Sequence, residues 1–188
     1  MKILILNWRS LKDPLSGGAE IATFEHAKRW VKNYGAEVTW LSPRYKGCPQ
    51  EGQEIIEGVN FKYIGFPLTR NPISLFISFP IFYFGVFFTY LIQYRNKVNV
   101  VIDQVHGIPY LTPFYVKEKV VVYIHEVAGD IWGKMYKFPI SLLGKLLEKI
   151  IFIPYRNKRI LFVCGSQSTK VDLLKLGMLE EDIEIVNY

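Results

Sequence analysis

Two histidines follow apolar runs of the sequence and are its best candidates for chemistry. His106 comes shortly after residues 98–103, and the pair His125-Glu126 directly follows residues 119–124. A neutral imidazole can donate a hydrogen bond to a sugar hydroxyl or a phosphate, or shuttle a proton. One histidine at a strand end is most simply a structural hydrogen bond. Two of them at adjacent strand ends favour a functional interpretation.

Small residues at two helix starts are further candidates. Gly17 and Gly18 open a helical pattern after the first apolar run, where backbone N–H groups and the helix dipole can bind phosphate without an intervening Cβ. A glycine pair also suits a turn that binds nothing. Ser166 follows another apolar run and is typical of a helix cap, although it could contact a ligand at the same edge. His26, within the first helical pattern, is interpreted as a packing or surface residue.

Several other kinds of site are not indicated. The sequence has neither a G-x-G-x-x-G fingerprint nor a G-x-x-x-x-G-K-[ST] phosphate loop. Cys48 and Cys164 lie far apart, and two histidines with scattered carboxylates do not form a ligand set, so we predict no metal site. Asp13 and Asp103 do not make a phospho-receiver site, which needs an acidic cluster after the first strand.

The elements that would position these residues alternate between strands and helices. Short apolar runs predict strands, and apolar residues at helical spacing predict helices. The predicted strands are residues 2–8, 38–41, 54–57, 59–65, 98–103, 119–124, 159–164 and 183–186, and the predicted helices are 18–35, 71–94, 140–153 and 166–176. This order predicts an α/β fold: a Rossmann-like, doubly wound, mainly parallel sheet with helices on both faces, whose ligands bind outside the carboxyl ends of the strands.

Two helical segments raise the question of membrane contact. Residues 71–94 carry no charge and have the length of a transmembrane span, but Pro80 and Gly85 interrupt them. A half-buried crossover helix with an aromatic face towards lipid is the preferred interpretation, and a spanning helix is the alternative. In helix 140–153 leucines and isoleucines share one face, with Lys145, Glu148 and Lys149 on the other side. The aromatic stretch 76–94 and the basic region 134–159 either lie on anionic lipid, or the former is a buried helix and the latter a solvated basic face.

Composition limits the class of partner. The chain has 188 residues, of which 50% are hydrophobic and 15% aromatic, which excludes intrinsic disorder. Its 23 Lys and Arg exceed 17 Asp and Glu by six, giving a net charge of +6 that favours anionic partners. The basic residues are scattered rather than arranged in a stripe, so nucleic acid is not a predicted partner.

In their order and spacing these motifs resemble the N-terminal domain of GT-B glycosyltransferases, specifically the retaining enzymes of family 4. The resemblance covers the whole chain, although Tyr188 stands where the family usually has glycine. The matching motifs are Gly17-Gly18-Ala19-Glu20 at the first helix, His106-Gly107, His125-Glu126, Gly165-Ser166 running to Leu173-Leu174, and Ile185-Val186-Asn187.

The resemblance implies one half of a two-domain enzyme. Residues 1–188 would form the acceptor-side Rossmann-like half of a GT-B fold, with a C-terminal donor-binding domain outside this chain. It implies retaining transfer of a sugar from a nucleotide-sugar donor to a saccharide or lipid-linked acceptor, without a metal or other cofactor. We therefore expect a cytoplasmic protein, peripheral at the inner face of an anionic membrane. The alternatives are a non-catalytic nucleotide- or phosphate-binding module and a membrane-anchored structural protein.

The resemblance also implies roles for individual residues. Gly17 and Gly18 would approach the donor diphosphate or the transferred sugar. His125 would be the catalytic residue that contacts the transferred sugar near the reacting carbon. The remaining substrate contacts would come from Glu20, His106, Glu126 and Ser166.

Overall fold

The computed structural model describes residues 1–66, 72–106, 108–129, 131–156 and 160–186. Predictions that fall on Gly107, on residues 157–159 and on residues 187–188 lie outside the described residues. The chain divides into two compact units. The first unit is Met1–Ile102 with Lys117–Lys119, and the second unit is Asp103–Val116 with Val120–Tyr188.

The elements alternate as predicted. The strands are β1 (Lys2–Leu6), β2 (Glu37–Pro43), β3 (Gln53–Ile56), β4 (Val59–Ile64), β5 (Val100–His106), β6 (Lys119–Glu126), β7 (Leu161–Cys164) and β8 (Ile183–Ile185). The α-helices are α1 (Gly18–Tyr34), α2 (Pro72–Thr89), α3 (Ile131–Met135), α4 (Ile140–Phe152) and α5 (Gln167–Lys175), and a π-helical turn, Tyr90–Tyr94, follows α2. The strand bounds differ from the predicted ones by up to three residues.

The strands form one sheet in the order β3-β4-β2-β1-β5-β6-β7-β8. The pairs β1–β2, β2–β4, β6–β7 and β7–β8 are parallel, and only β3–β4 is antiparallel among the pairs described. In β1 the residues from Ile3 to Leu6 are all buried, as expected for a strand covered on both faces. The predicted class, an α/β Rossmann-like fold with a mainly parallel sheet, is confirmed.

Helices cover both faces of the sheet in the first unit. Phe61 of β4 is fully buried, and its ring lies 6.0 Å from that of Phe24 on α1. Side chains alternate between the faces of a strand, so Ile64 points the other way, where a Cβ on Gly85 of α2 would lie 3.5 Å from it. The predicted arrangement of helices on both faces is therefore present in this unit.

α2 and the π-helical turn bury one face and expose the other, as their described side chains show. Phe82, Val86 and Tyr90 recur every four residues and are fully buried, whereas Phe84 and Phe88 are exposed. This confirms a half-buried helix over residues 80–94. Within the described ranges, we find no helix that is both long and apolar enough to cross a membrane.

The core of the second unit lies between its strands and α5. Its largest fully or nearly fully buried members are aromatic or aliphatic side chains from β6, β7, α4, α5 and the turn after α4. They include Ile124, Phe152, Tyr155, Phe162 and Leu173.

The orientation of α4 differs from the predicted one, in which its polar side faces solvent. Gly144, Glu148 and Phe152 point inwards, whereas Leu142 and Leu146 are more than half exposed. The prediction that Glu148 shares a solvated side with the lysines is wrong, since Glu148 is buried. Two contacts account for the orientation: α3 packs against Gly144, and Glu148 binds the backbone after β6, as described below.

Candidate functional site

The second unit brings two predicted residues together at its strand ends. β5 and β6 extend further than predicted, so His106 and Glu126 are the last residues of their strands rather than loop residues. His106 Nε2 lies 3.5 Å from Glu126 Oε1, and both side chains are partly exposed. An imidazole beside a carboxylate offers both donor and acceptor atoms to a polar ligand such as a saccharide.

His125 is held by its neighbours within the second unit. Gln104 Nε2 lies 3.2 Å from His125 Nε2, and an imidazole that accepts a hydrogen bond from this amide is neutral and carries its proton on Nδ1. The ring lies 4.7 Å, centroid to centroid, from that of Tyr123. The backbone oxygen of His125 accepts a hydrogen bond from Thr169 Oγ1 at 3.3 Å. These contacts orient a side chain that is only partly buried.

Sequence reasoning missed the role of Gln104. The available signal was its position two residues before His106, which places both side chains on one face of the same strand. An amide there contacts a side chain on a neighbouring strand of the sheet, which no local sequence pattern reveals.

Ser166 has the capping role that its position predicts. Its Oγ accepts a hydrogen bond from the backbone N–H of Thr169 at 3.2 Å and lies 2.9 Å from Thr169 Oγ1. Because Thr169 also donates to the His125 backbone, Ser166 is connected to His125 through one residue. Its predicted contact with substrate stays a prediction.

A buried carboxyl group, Asp103, fixes the segment after β5. Asp103 is fully buried and accepts hydrogen bonds from Thr112 Oγ1 at 2.7 Å and from Tyr155 Oη at 2.6 Å. The backbone N–H of Tyr110 donates to its other oxygen at 3.1 Å. Burial raises the pKa of Asp103 above its ordinary value, although the three donors act in the opposite direction.

A second carboxylate, Glu148, fixes the segment after β6. It is buried, and its two oxygens accept the backbone N–H groups of Ala128 and Gly129, each at 2.8 Å. These amides come two and three residues after Glu126. The end of β6 is therefore secured by a side chain that the sequence pattern assigned to solvent.

The first unit contains the glycine pair at the start of α1. Gly17 N–H donates to Glu20 Oε2 at 2.7 Å, which is one half of a capping box, since glycine has no side chain to supply the other half. The Gly17 amide is thus already bound by a carboxylate in this conformation, and its predicted contact with the donor stays a prediction. The Gly18 amide is not part of that contact.

The described protein atoms around Gly17 and Gly18 leave room for a Cβ at both positions. A Cβ on Gly18 would meet no described atom within 4 Å, and one on Gly17 only the Glu20 carboxylate at 3.9 Å. Open space at a glycine is the condition for close approach of a ligand to the backbone. Glu20 is only 2% exposed, and its Oε1 accepts no hydrogen bond from the described residues.

Metal coordination finds no support in the described part of the chain. None of its groups of His, Cys, Asp and Glu has three or more members placed to hold a metal ion.

Replacing Asp103 by Asn tests the buried carboxyl group. The amide nitrogen cannot accept a hydrogen bond, so at least one buried donor loses its partner and the free energy of unfolding falls by about 1–3 kcal/mol. Because the folded-state pKa is raised above the unfolded value of 3.8, the contribution of Asp103 is complete below that pH and is lost as pH rises through the folded-state pKa.

The measurement is urea denaturation of both proteins between about pH 4 and about pH 8. The stability difference between wild type and the Asn variant shrinks as pH rises. Asp172→Asn, on the surface of α5, serves as the control with a small and nearly constant difference. A difference at Asp103 that grows with pH would show that the donors, not burial, dominate its pKa.

Comparison with known proteins supports the fold. No protein-family model matches the sequence, and no curated protein is significantly similar to it. Sucrose-phosphate synthase from Thermosynechococcus elongatus superposes with a TM-score of 0.67 at 13% identity, over 99% of this chain and 47% of that one. A further sucrose-phosphate synthase structure from that organism has a TM-score of 0.61 at 8% identity, over 100% of this chain and 89% of that one.

The chain thus spans about half the length of the first of these structures. Identities this low show the fold alone. The architecture of this chain is an α/β Rossmann-like domain that corresponds to one half of a GT-B fold.

Proposed function

We propose that this chain is the acceptor-side half of a glycosyltransferase that moves a sugar from a nucleotide-sugar donor to a saccharide or lipid-linked acceptor. The observation that carries the proposal is the partly exposed imidazole of His125 at the end of β6, whose Nε2 lies 3.2 Å from the Gln104 amide. The likeness of the fold to half of a sucrose-phosphate synthase supports the reaction class. A second, donor-binding domain and a cytoplasmic location belong to the same proposal.

His125 is proposed to contact the transferred sugar. A neutral imidazole can hydrogen-bond a sugar hydroxyl without adding a positive charge beside the anomeric carbon. The contact between the Gln104 amide and Nε2 holds the ring in one orientation before substrate binds. His106 and Glu126, 3.5 Å apart, are proposed to bind hydroxyl groups of the acceptor. Ser166 would contribute at the same edge of the second unit.

The glycine pair is proposed to serve the donor. Since Glu20 already binds the Gly17 amide, the Gly18 amide is the better candidate for a donor phosphate or sugar oxygen. Glu20 Oε1 is an acceptor without a described donor, so it suits a sugar hydroxyl better than a negatively charged phosphate. Most other donor contacts would come from the second domain. Retention of configuration and independence from a divalent metal are proposed from the resemblance to family 4.

Replacing His125 by Ala in the full-length polypeptide tests the assignment. The expected result is a fall in sugar transfer of about 100-fold or more, because a positioned hydrogen-bonding and proton-transferring group is lost. Transfer is measured as nucleoside diphosphate released in the presence of acceptor. His26→Gln, a histidine on α1 that stacks on Trp30, is the matched control and leaves transfer unchanged. Unchanged turnover of the His125 variant, with an intact far-UV spectrum, would contradict the proposal.

A non-catalytic nucleotide-binding module is the second candidate, favoured by the open space at Gly18. Calorimetry of this chain with UDP, GDP and ADP separates the two. If the chain is an acceptor-side half, binding is weak, with Kd of about 1 mM or above, since most donor contacts lie elsewhere. Tight binding to the isolated chain, abolished by Gly18→Val, would support the binding module instead.

A further inference from the structure

An exposed apolar line runs along α4. The exposed fractions of Leu142, Leu146 and Ile150, which recur every four residues, are 58%, 52% and 50%. Phe138 before the helix and Ile153 after it are 79% and 53% exposed. On an ordinary helix of a globular protein such a stripe faces the core, and a large exposed apolar patch marks an interaction surface. We call these five residues the α4 apolar line.

Packing on the inner side of α4 keeps this line outside. A Cβ on Gly144 would collide with the Trp132 side chain, so α3 packs directly against the backbone there. Glu148 binds two backbone amides and Phe152 is buried in the core. Rotating α4 to bury its leucines would break these hydrogen bonds and leave a buried carboxylate without donors. The exposure of the line therefore follows from the packing of the second unit.

The exposed charges of the described segment 131–156, which contains the α4 apolar line, have one sign. In the described segment 131–156 the only acidic residue is Glu148, which is buried. The basic residues of that segment are Lys134, Lys137, Lys145, Lys149 and Arg156. A helix with an apolar face flanked by lysines is typical of a helix that lies in a membrane interface.

A cavity of about 220 Å³ adjoins the helix on its lysine side. Lys145, Lys149 and Lys175 line it, together with two carboxylates. Glu148 is engaged by backbone amides, and Asp172 lies 2.8 Å from Lys175 Nζ. The cavity thus presents Lys145 and Lys149 beside the Lys175–Asp172 ion pair and a Glu148 carboxylate that backbone amides already bind. Its three lysines exceed its two carboxylates by one positive charge, which suits a phosphate group.

We propose that α4 lies in the interface of an anionic phospholipid bilayer. The α4 apolar line inserts among the acyl chains, and Lys145 and Lys149 contact headgroup phosphates. A second copy of the chain fits less well, since two such faces would bring like charges together. The proposal rests on residues of the second unit alone and does not depend on sugar transfer.

Vesicle sedimentation of the purified chain tests the proposal. We expect binding to vesicles of phosphatidylcholine with 30% phosphatidylglycerol, and binding about 10-fold weaker or less to pure phosphatidylcholine. The variant L142S/L146S/I150S loses about 10-fold or more in affinity for the anionic vesicles because its apolar line is removed. Lys145→Gln with Lys149→Gln reduces binding to the anionic vesicles and leaves that to phosphatidylcholine unchanged.

The matched control is I21S/I55S/L179S, which removes three exposed apolar side chains outside α4. It binds vesicles as wild type does, and circular dichroism verifies that every variant is folded. The proposal is overturned if wild type does not bind anionic vesicles, or if the control triple weakens binding as much as the α4 triple. It is also overturned if light scattering without lipid shows a dimer that the α4 triple abolishes, since the line then binds a second copy.

Discussion

The site of the second unit depends on two buried carboxyl groups that accept hydrogen bonds from the segments behind its strand ends. Asp103 holds Tyr110, Thr112 and Tyr155, and Glu148 holds the backbone two residues beyond β6. Burying a carboxyl group is unfavourable unless donors surround it. Each group is therefore tied to one arrangement of the chain around it. The strand ends that carry His106, His125 and Glu126 are fixed by this constraint rather than by contacts of the histidines alone.

The same constraint gives α4 its unusual outer face. Glu148 must point inwards to bind its two amides, and Gly144 allows Trp132 to approach. The leucines on the opposite side are then left outside, although their burial would by itself stabilise the fold. The hydrogen bonds that Glu148 must form near the end of β6 thus determine that the leucines of α4 are exposed. If that surface lies on a bilayer, the proposed acceptor residues belong to the unit that binds the membrane, which favours a lipid-linked acceptor.

The fold could be predicted from the sequence because strand burial and helical spacing appear directly in the order of residues. The continuous apolar run of β1 and the spacing of Phe24 and Ala27 in α1 require no knowledge of their partners. That residues after β5 and β6 lie near one another could be predicted too, since neighbouring strands of a mainly parallel sheet end at one edge, but the particular contact of His106 with Glu126 could not. Local periodicity could not predict the Gln104–His125 contact, the buried position of Glu148 or the hydrogen bond from Gly17 to Glu20. Each of these depends on a specific partner that the local sequence pattern does not encode.

The chain contains three histidines, and this number permits a direct test of the site. Histidine-labelled protein, observed by NMR, is titrated with free hexoses, hexose phosphates and UDP-, GDP- and ADP-hexoses. We expect a saccharide-containing ligand to shift the imidazole resonances of His125 and His106. The resonances of His26, on α1, should stay in place. If His26 alone responds, or if none of these ligands moves His125, the assignment of the β5 and β6 ends as a sugar-binding site is contradicted.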